Sequence, residues 1–173
     1  ILNFKNIFIT RIKAAGIKQI KDDLKLRSKE ELEELCLKLS KFKKENKELI
    51  TYLLFEASDE NYFIQNTKEE ISVGFNEVNR NSYYYVKKSI RKILRNTKKN
   101  IRYSKKKQTE IELILFFCEK LKAFSPSISN SIPLTRIFDR EIERVKKLVQ
   151  SLHEDLQYDY NLEIEAIEKE SPQ

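Results

Sequence analysis

The stretch from residue 79 to residue 109 constrains the fold of this chain more than any other feature. It carries 12 basic residues and no acidic one. Its apolar residues recur in steps of three and four, which is the spacing of one face of an α-helix. Those residues are Val86, Ile90, Ile93, Leu94 and Ile101. The pattern therefore predicts an amphipathic helix from about Ser82 to Tyr103, with its apolar face inward and its charges in water.

Chain breakers are scarce, because the 173 residues include 2 Gly and 3 Pro. Turn-rich β folds use many more of both, so we predict an all-α fold of long helices with short connections. The length fits a single helical domain spanning residues 1–173. We expect an antiparallel α-α array of about six to seven helices, arranged as a bundle or as a short HEAT-like α-solenoid. No apolar run approaches the roughly 20 residues that would span a bilayer.

The first half of the chain predicts a helix over residues 3–23, followed by an αα-hairpin over residues 28–58. Ser28 and Glu31 have the spacing of a capping box, in which each residue satisfies a backbone amide of the other. An apolar stripe follows from Leu32 to Phe42, and a wider apolar face runs from Leu49 to Ala57. Two helices joined by so short a connection are expected to pack antiparallel.

The second half predicts three further helical segments. Capping-box spacing recurs at Thr67 and Thr109 and predicts a helix start at each, with a polar connection over residues 58–66 before the first. The unbroken apolar run 113–118 predicts a central helix. Residues 125–133 form a loop and a candidate hinge. Beyond it we expect one long helix from about Leu134, continuing into the acidic segment 154–170 and fraying over residues 168–173.

Part of the hairpin resembles a known family. The residues Glu-Leu-Cys-Leu-Lys-Leu at 34–39, together with the segments 41–49 and 51–57, are similar to an uncharacterised family of bacterial hypothetical proteins. The resemblance covers mainly residues 30–65. It implies an all-helical, bacterial, cytoplasmic protein, and it brings no known activity, cofactor or site residues.

The chain lacks the residues that most kinds of catalytic site require. Gly16 and Gly74 are the only glycines, so no glycine-rich phosphate loop can be built. His153 is the only histidine and is interpreted as an exposed helix residue. Cys36 and Cys118 are too few for a disulfide framework or a zinc site, and we interpret them as buried thiols in a reducing compartment. We therefore predict no catalytic, cofactor or metal site; a carboxylate enzyme site in the helical core remains a weaker alternative.

The basic stretch is the one candidate binding surface. Lysines and arginines on phosphates would release condensed counterions and give salt-dependent binding. Neighbouring tyrosines could stack on unpaired bases. The candidate nucleic-acid contacts are Arg91, Lys92, Arg95, Lys98, Lys99, Arg102, Lys105, Lys106, Lys107, Tyr84 and Tyr103.

The charge distribution leaves two interpretations open. Without the 12 basic residues of this stretch, the chain has 22 basic and 27 acidic residues, and seven of the acids lie in 154–170. If that acidic segment covers the basic helix, the charges cancel internally. The chain is then interpreted as a scaffold module that binds another protein or itself, which the missing catalytic set favours. If the basic face is open, binding of phosphate backbone through residues 80–107 is favoured. A third interpretation, binding to an anionic membrane surface, is disfavoured, because it needs exposed apolar residues opposite the charges and Ile90, Ile93 and Leu94 are expected in the core.

Overall fold

A computed structural model describes residues 14–169 of the chain, and within this range it contains helices and no strand. The all-α prediction is confirmed, with eight α-helices in the described part of the chain. Of the helix predicted over residues 3–23, positions 3–13 lie outside the described residues, as do residues 170–173 of the predicted frayed end.

The helices follow one another with short connections. They are α1 (Ile17–Leu24), α2 (Lys29–Phe42), α3 (Lys44–Thr51), α4 (Glu60–Asn76), α5 (Tyr83–Ser104), α6 (Lys107–Lys122), α7 (Ile132–Val149) and α8 (Glu154–Lys169). A π-helical segment, Tyr52–Glu56, follows α3, and a 3-10 turn, Ile128–Asn130, precedes α7. The chain divides into two compact units, residues 1–48 and residues 49–173. That both belong to a single domain stays a prediction.

The first unit contains the predicted capping box but not the predicted burial. Ser28 Oγ accepts a hydrogen bond from the Glu31 amide at 3.2 Å, and the Glu31 carboxylate accepts one from the Ser28 amide at 2.9 Å. Helix α2 nevertheless buries no side chain, and Phe42 at its end is 76% exposed. Periodicity predicts an apolar face but does not say what covers it. The expectation that this stripe packs in a hairpin core is therefore wrong, and Cys36, expected to be buried, is exposed as well.

The core of the second unit is built around α6, as the unbroken apolar run predicts. Helix α6 contacts α4, α5, α7 and α8. Burial of its apolar side chains on every side supplies the main driving force for this arrangement. The fully buried residues of α6 are Ile111, Leu113, Ile114, Leu115, Phe117, Cys118 and Leu121.

Two of the three predicted capping boxes do not cap a helix. Thr67 lies inside α4, where its hydroxyl donates to the Phe63 carbonyl at 2.9 Å. Helix α4 is capped instead by Asp59, which accepts from the Tyr62 amide at 3.0 Å, so most of the predicted connection 58–66 is helical. Thr109 is buried in the first turn of α6. In both cases the threonine hydroxyl donates to another oxygen, the Phe63 carbonyl for Thr67 and the Glu60 carboxylate for Thr109, and it does not accept from a backbone amide as a cap would.

The predicted long C-terminal helix is interrupted at residues 150–153. Helix α7 ends at Val149 and α8 begins at Glu154. The side-chain amide of Gln157 donates to the Leu152 carbonyl at 2.8 Å and so satisfies one carbonyl freed by the break. The predicted loop 125–133 is present in part, because residues 128–130 form a 3-10 turn and α7 already begins at Ile132; Ile128 in this loop is buried. Its role as a hinge stays a prediction.

Close contact between α4 and α5 depends on Gly74. A Cβ at this position would lie 3.0 Å from Ile93 Cγ1, which is tighter than ordinary van der Waals contact. The missing side chain therefore lets α4 pack close to α5 and fixes the buried side of the basic helix.

Candidate nucleic-acid interface on helix α5

Helix α5 forms within one residue of its predicted bounds, and the predicted apolar face is buried. The buried residues are Val86, Ile90, Ile93, Leu94, Thr97 and Ile101. The residue that caps the C-terminus of α5, Lys105, adopts the left-handed conformation (φ 59°, ψ 10°) and donates its amide to the Ile101 carbonyl at 2.9 Å. This left-handed residue terminates α5, and α6 begins two residues later, at Lys107.

Opposite the buried face lies a row of basic side chains that we call the open basic face. All of its members are exposed, and none forms an ion pair with another described residue. They are Lys88, Arg91, Lys92, Arg95, Arg102 and Lys105. The spacing of three, four and seven residues from Lys88 to Arg102 places the first five on one side of the helix. That side is about 21 Å long at the usual rise of an α-helix.

The other predicted basic contacts are held by the protein itself. Lys98 Nζ lies 2.7 Å from Glu141 Oε2, and Lys106 Nζ lies 2.8 Å from Glu60 Oε2. Lys107 Nζ donates to Ser151 Oγ at 3.0 Å. Lys99 is half-buried and also interacts with the protein. The structure therefore leaves five of the nine predicted cations open.

Lys88, which the sequence prediction did not name, adds one open cation to these five. It could have been found from its position, because it lies one helical turn before Lys92 on the same side of α5.

The four tyrosines beside the basic residues have different environments. The Tyr83 hydroxyl donates to the Ser127 carbonyl at 2.9 Å, and its ring packs against the core. Tyr103 is half-buried and interacts with the protein. Tyr84 and Tyr85 are 64% and 45% exposed, with ring centroids 5.3 Å apart in an edge-to-face arrangement. The open aromatic residues are therefore Tyr84, as predicted, and Tyr85, which was missed.

A partly buried hydrogen-bond cluster around Glu60 holds the C-terminal end of α5. The carboxylate accepts from the hydroxyls of Ser104, Thr109 (2.6 Å) and Tyr52 (2.9 Å), and it pairs with Lys106. Burial alone would raise the pKa of Glu60, but these four partners outweigh it and lower the pKa to about 2. Because the pKa falls on folding, the cluster stabilises the fold fully above about pH 4.5 and loses this effect as the pH falls towards 2.

A second fixed contact joins the middle of α5 to α7. Glu141 of α7 is fully buried. Its Oε1 accepts from Arg140 at 2.9 Å, and its Oε2 meets the Lys98 ammonium as an ion pair without hydrogen-bond geometry. The neighbouring Cys118 thiol is also buried. Burial, reinforced by the Glu141 charge, raises the pKa of Cys118 and keeps it protonated.

The acidic helix α8 packs against α6 and α7. Its Glu168 pairs with Lys146 of α7 at 2.8 Å, and its Glu165 pairs with Lys169 in the next turn of the same helix. No residue of the open basic face pairs with an acid in residues 14–169. The acids of α8 therefore do not neutralise this face.

Known proteins add no further assignment, because no protein-family model, curated protein or solved structure matches the chain. The resemblance to an uncharacterised bacterial family accordingly stays a prediction. Among the helices of residues 14–169, none is long and apolar enough to cross a membrane. The same residues contain no group of three or more His, Cys, Asp or Glu side chains arranged to hold a metal ion.

Proposed function

We propose that the chain binds nucleic acid by placing the open basic face along a phosphate backbone. The observation that carries the proposal is the position of these cations: they are exposed, unpaired within the described chain and opposite the buried face of α5. From Lys88 to Arg102, five positive charges occupy about 21 Å of helix. This spacing is of the same order as the phosphate spacing of a nucleic-acid strand, about 3.4 Å per charge.

The fixed position of α5 supports the same proposal. The core holds its apolar side, the Glu60 cluster holds its C-terminal end, and the Lys98–Glu141 pair holds its middle. A surface that is already ordered loses little conformational entropy when it binds. Arg91, Lys92 and Arg95 then contact phosphates without folding the helix first. Because phosphate contacts carry no base information, binding is expected to be independent of sequence.

Fluorescence anisotropy tests the proposal. Labelled oligonucleotides of DNA and RNA, single-stranded and duplex, are titrated with the protein from low to physiological salt. We expect binding at low salt that weakens steeply as salt increases, because counterions are released from each neutralised phosphate. Absence of binding to every oligonucleotide at low salt would contradict the proposal.

Exposed apolar side chains favour a second candidate function, a module that binds another protein or itself. Large side chains are exposed on the face of α2 that ends at Phe42, and in the π-helical segment, where Phe55 is 74% exposed. An exposed apolar helix face is typical of protein interaction sites. Analytical ultracentrifugation over a range of concentrations tests self-association; a strict monomer that also retains no protein in a pull-down counts against this candidate.

The weaker alternative of a carboxylate enzyme site finds little support in the buried acids. Glu60 pairs with Lys106 and accepts hydrogen bonds from three hydroxyls, and Glu141 pairs with Lys98 and Arg140. Carboxylates held in this way favour a structural role.

A bacterial, cytoplasmic setting is also part of the proposal. It is supported by the two free cysteines of the described chain, which suit a reducing compartment.

A further inference from the structure

We propose that the open basic face takes single-stranded rather than duplex nucleic acid, with unpaired bases stacking on Tyr84 and Tyr85. This inference rests on the proposed function and specifies its ligand. The inference starts from two neighbouring aromatic side chains that are exposed to solvent. Tyr84 and Tyr85 contact each other edge to face, whereas the adjacent Tyr83 packs against the core.

The two rings lie at the N-terminal end of the open basic face. Tyr84 precedes Lys88 by one helical turn on the same side of α5, and Lys88 is followed by Arg91 and Arg95 along that side. The rise from Tyr84 to Lys88 is about 6 Å, which is close to the reach of one nucleotide. A strand whose phosphates follow the cations therefore brings a base to the tyrosine pair.

A cationic track with exposed aromatic rings is the combination that suits single strands. In a duplex the bases are already stacked on one another, so their faces are not available to a side chain. In a single strand every base has a free face, and stacking on an aromatic residue is tolerant of sequence. Lys87 Nζ, which lies 5.9 Å from the centre of the Tyr84 ring, adds positive charge beside the stacking position.

An anionic membrane surface would also attract cations and tyrosines, but α5 offers it little else. The apolar residues of α5 are buried in the core, whereas an interfacial helix inserts a continuous apolar face. We therefore argue for the nucleic acid and include the membrane as an outcome of the test.

The test compares three labelled probes of equal length: a thymidine single strand, an abasic single strand and a duplex. A second readout is intrinsic tyrosine fluorescence, which is usable because the chain contains no Trp. The variants are Tyr84→Ala with Tyr85→Ala, and the matched control Tyr84→Phe with Tyr85→Phe, which keeps both rings. Since both side chains are exposed, circular dichroism should show the same helical content for both variants.

We expect the wild type and the Phe control to bind the thymidine strand about 10-fold more tightly than the abasic strand, the effect of one stacked base. The Ala variant should lose this preference. In the wild type, which retains both tyrosines, the thymidine strand should quench tyrosine fluorescence more strongly than the abasic strand does. Equal binding of the three probes by the wild type, or a preference for the duplex, would overturn this inference and leave the proposed function in place. Binding to phosphatidylserine vesicles without binding to any oligonucleotide would overturn both.

Discussion

Removing charge from the middle of the open basic face should weaken the salt dependence of binding by a predictable amount. The change is Arg91→Gln, Lys92→Gln and Arg95→Gln in one variant. These side chains are exposed and form no ion pair with a described residue, so the variant removes three cations without breaking a contact. Glutamine is a good helix former, and surface substitutions of this kind change stability by less than about 0.5 kcal/mol.

The expected magnitude follows from the number of open cations. Six residues form the open basic face, and each phosphate neutralised on a single strand adds about −0.7 to the slope of log K against log salt. The wild type should then have a slope of about −4 and lose roughly 300-fold in affinity between 50 and 200 mM salt. The triple variant should have a slope of about −2 and lose only about 20-fold over the same range.

A matched control separates local contact from total charge. Lys18→Gln, Lys29→Gln and Lys41→Gln remove the same three charges from exposed positions in residues 1–48 that have no ion pair with a described residue. Anisotropy with one single-stranded oligonucleotide across a salt series gives the slope for all three proteins. The reasoning is refuted if both variants change the slope equally, since net charge would then be the cause, or if neither changes it.

Four further predictions concern stability and thiol reactivity. Glu60→Gln should destabilise the fold by about 2–3 kcal/mol at pH 7 and remove much of its stability loss between pH 4.5 and 2, measured by denaturation across pH. Urea denaturation of Glu141→Ala should show a loss of about 3 kcal/mol, because a fully buried side chain is replaced by a cavity and two ion pairs are lost; no loss would mean that Glu141 does not stabilise the fold. Lys105→Gly should raise stability by about 1 kcal/mol by relieving a left-handed backbone, and a lower melting temperature would contradict this. A thiol reagent should titrate one cysteine, Cys36, in the native protein and also Cys118 after unfolding; two reactive thiols in the native state would be evidence against the buried site.

Helical periodicity correctly predicted those parts of the fold that depend on the apolar pattern within a single helix. The bounds of α5 and the central place of α6 follow from apolar spacing alone. The start of α4 and the break between α7 and α8 were missed because each depends on polar contacts that spacing does not reveal. Asp59 caps α4 and Gln157 bonds across the break. The exposure of the apolar stripe of α2 was also missed, because an apolar pattern does not show which element, if any, covers it.

The candidate interface was predicted in outline but not residue by residue. Sequence alone located the cations and could place Arg91, Lys92 and Arg95 on the polar side of the helix. It could not show that Lys98 and Lys106 are held by acids far away in the chain, because those pairs depend on tertiary packing. The separation of exposed from packed tyrosines depends on the same packing.

A nuclear magnetic resonance titration tests the central claim most directly, because it locates the binding surface without any mutation. Isotope-labelled protein is titrated with an unlabelled oligonucleotide at low salt, and amide shift changes are mapped along the chain. We predict that the largest changes lie between Tyr84 and Lys105, with little change in α2 or α7. Changes concentrated elsewhere, or none at saturating oligonucleotide, would contradict the assignment of the open basic face as a nucleic-acid surface.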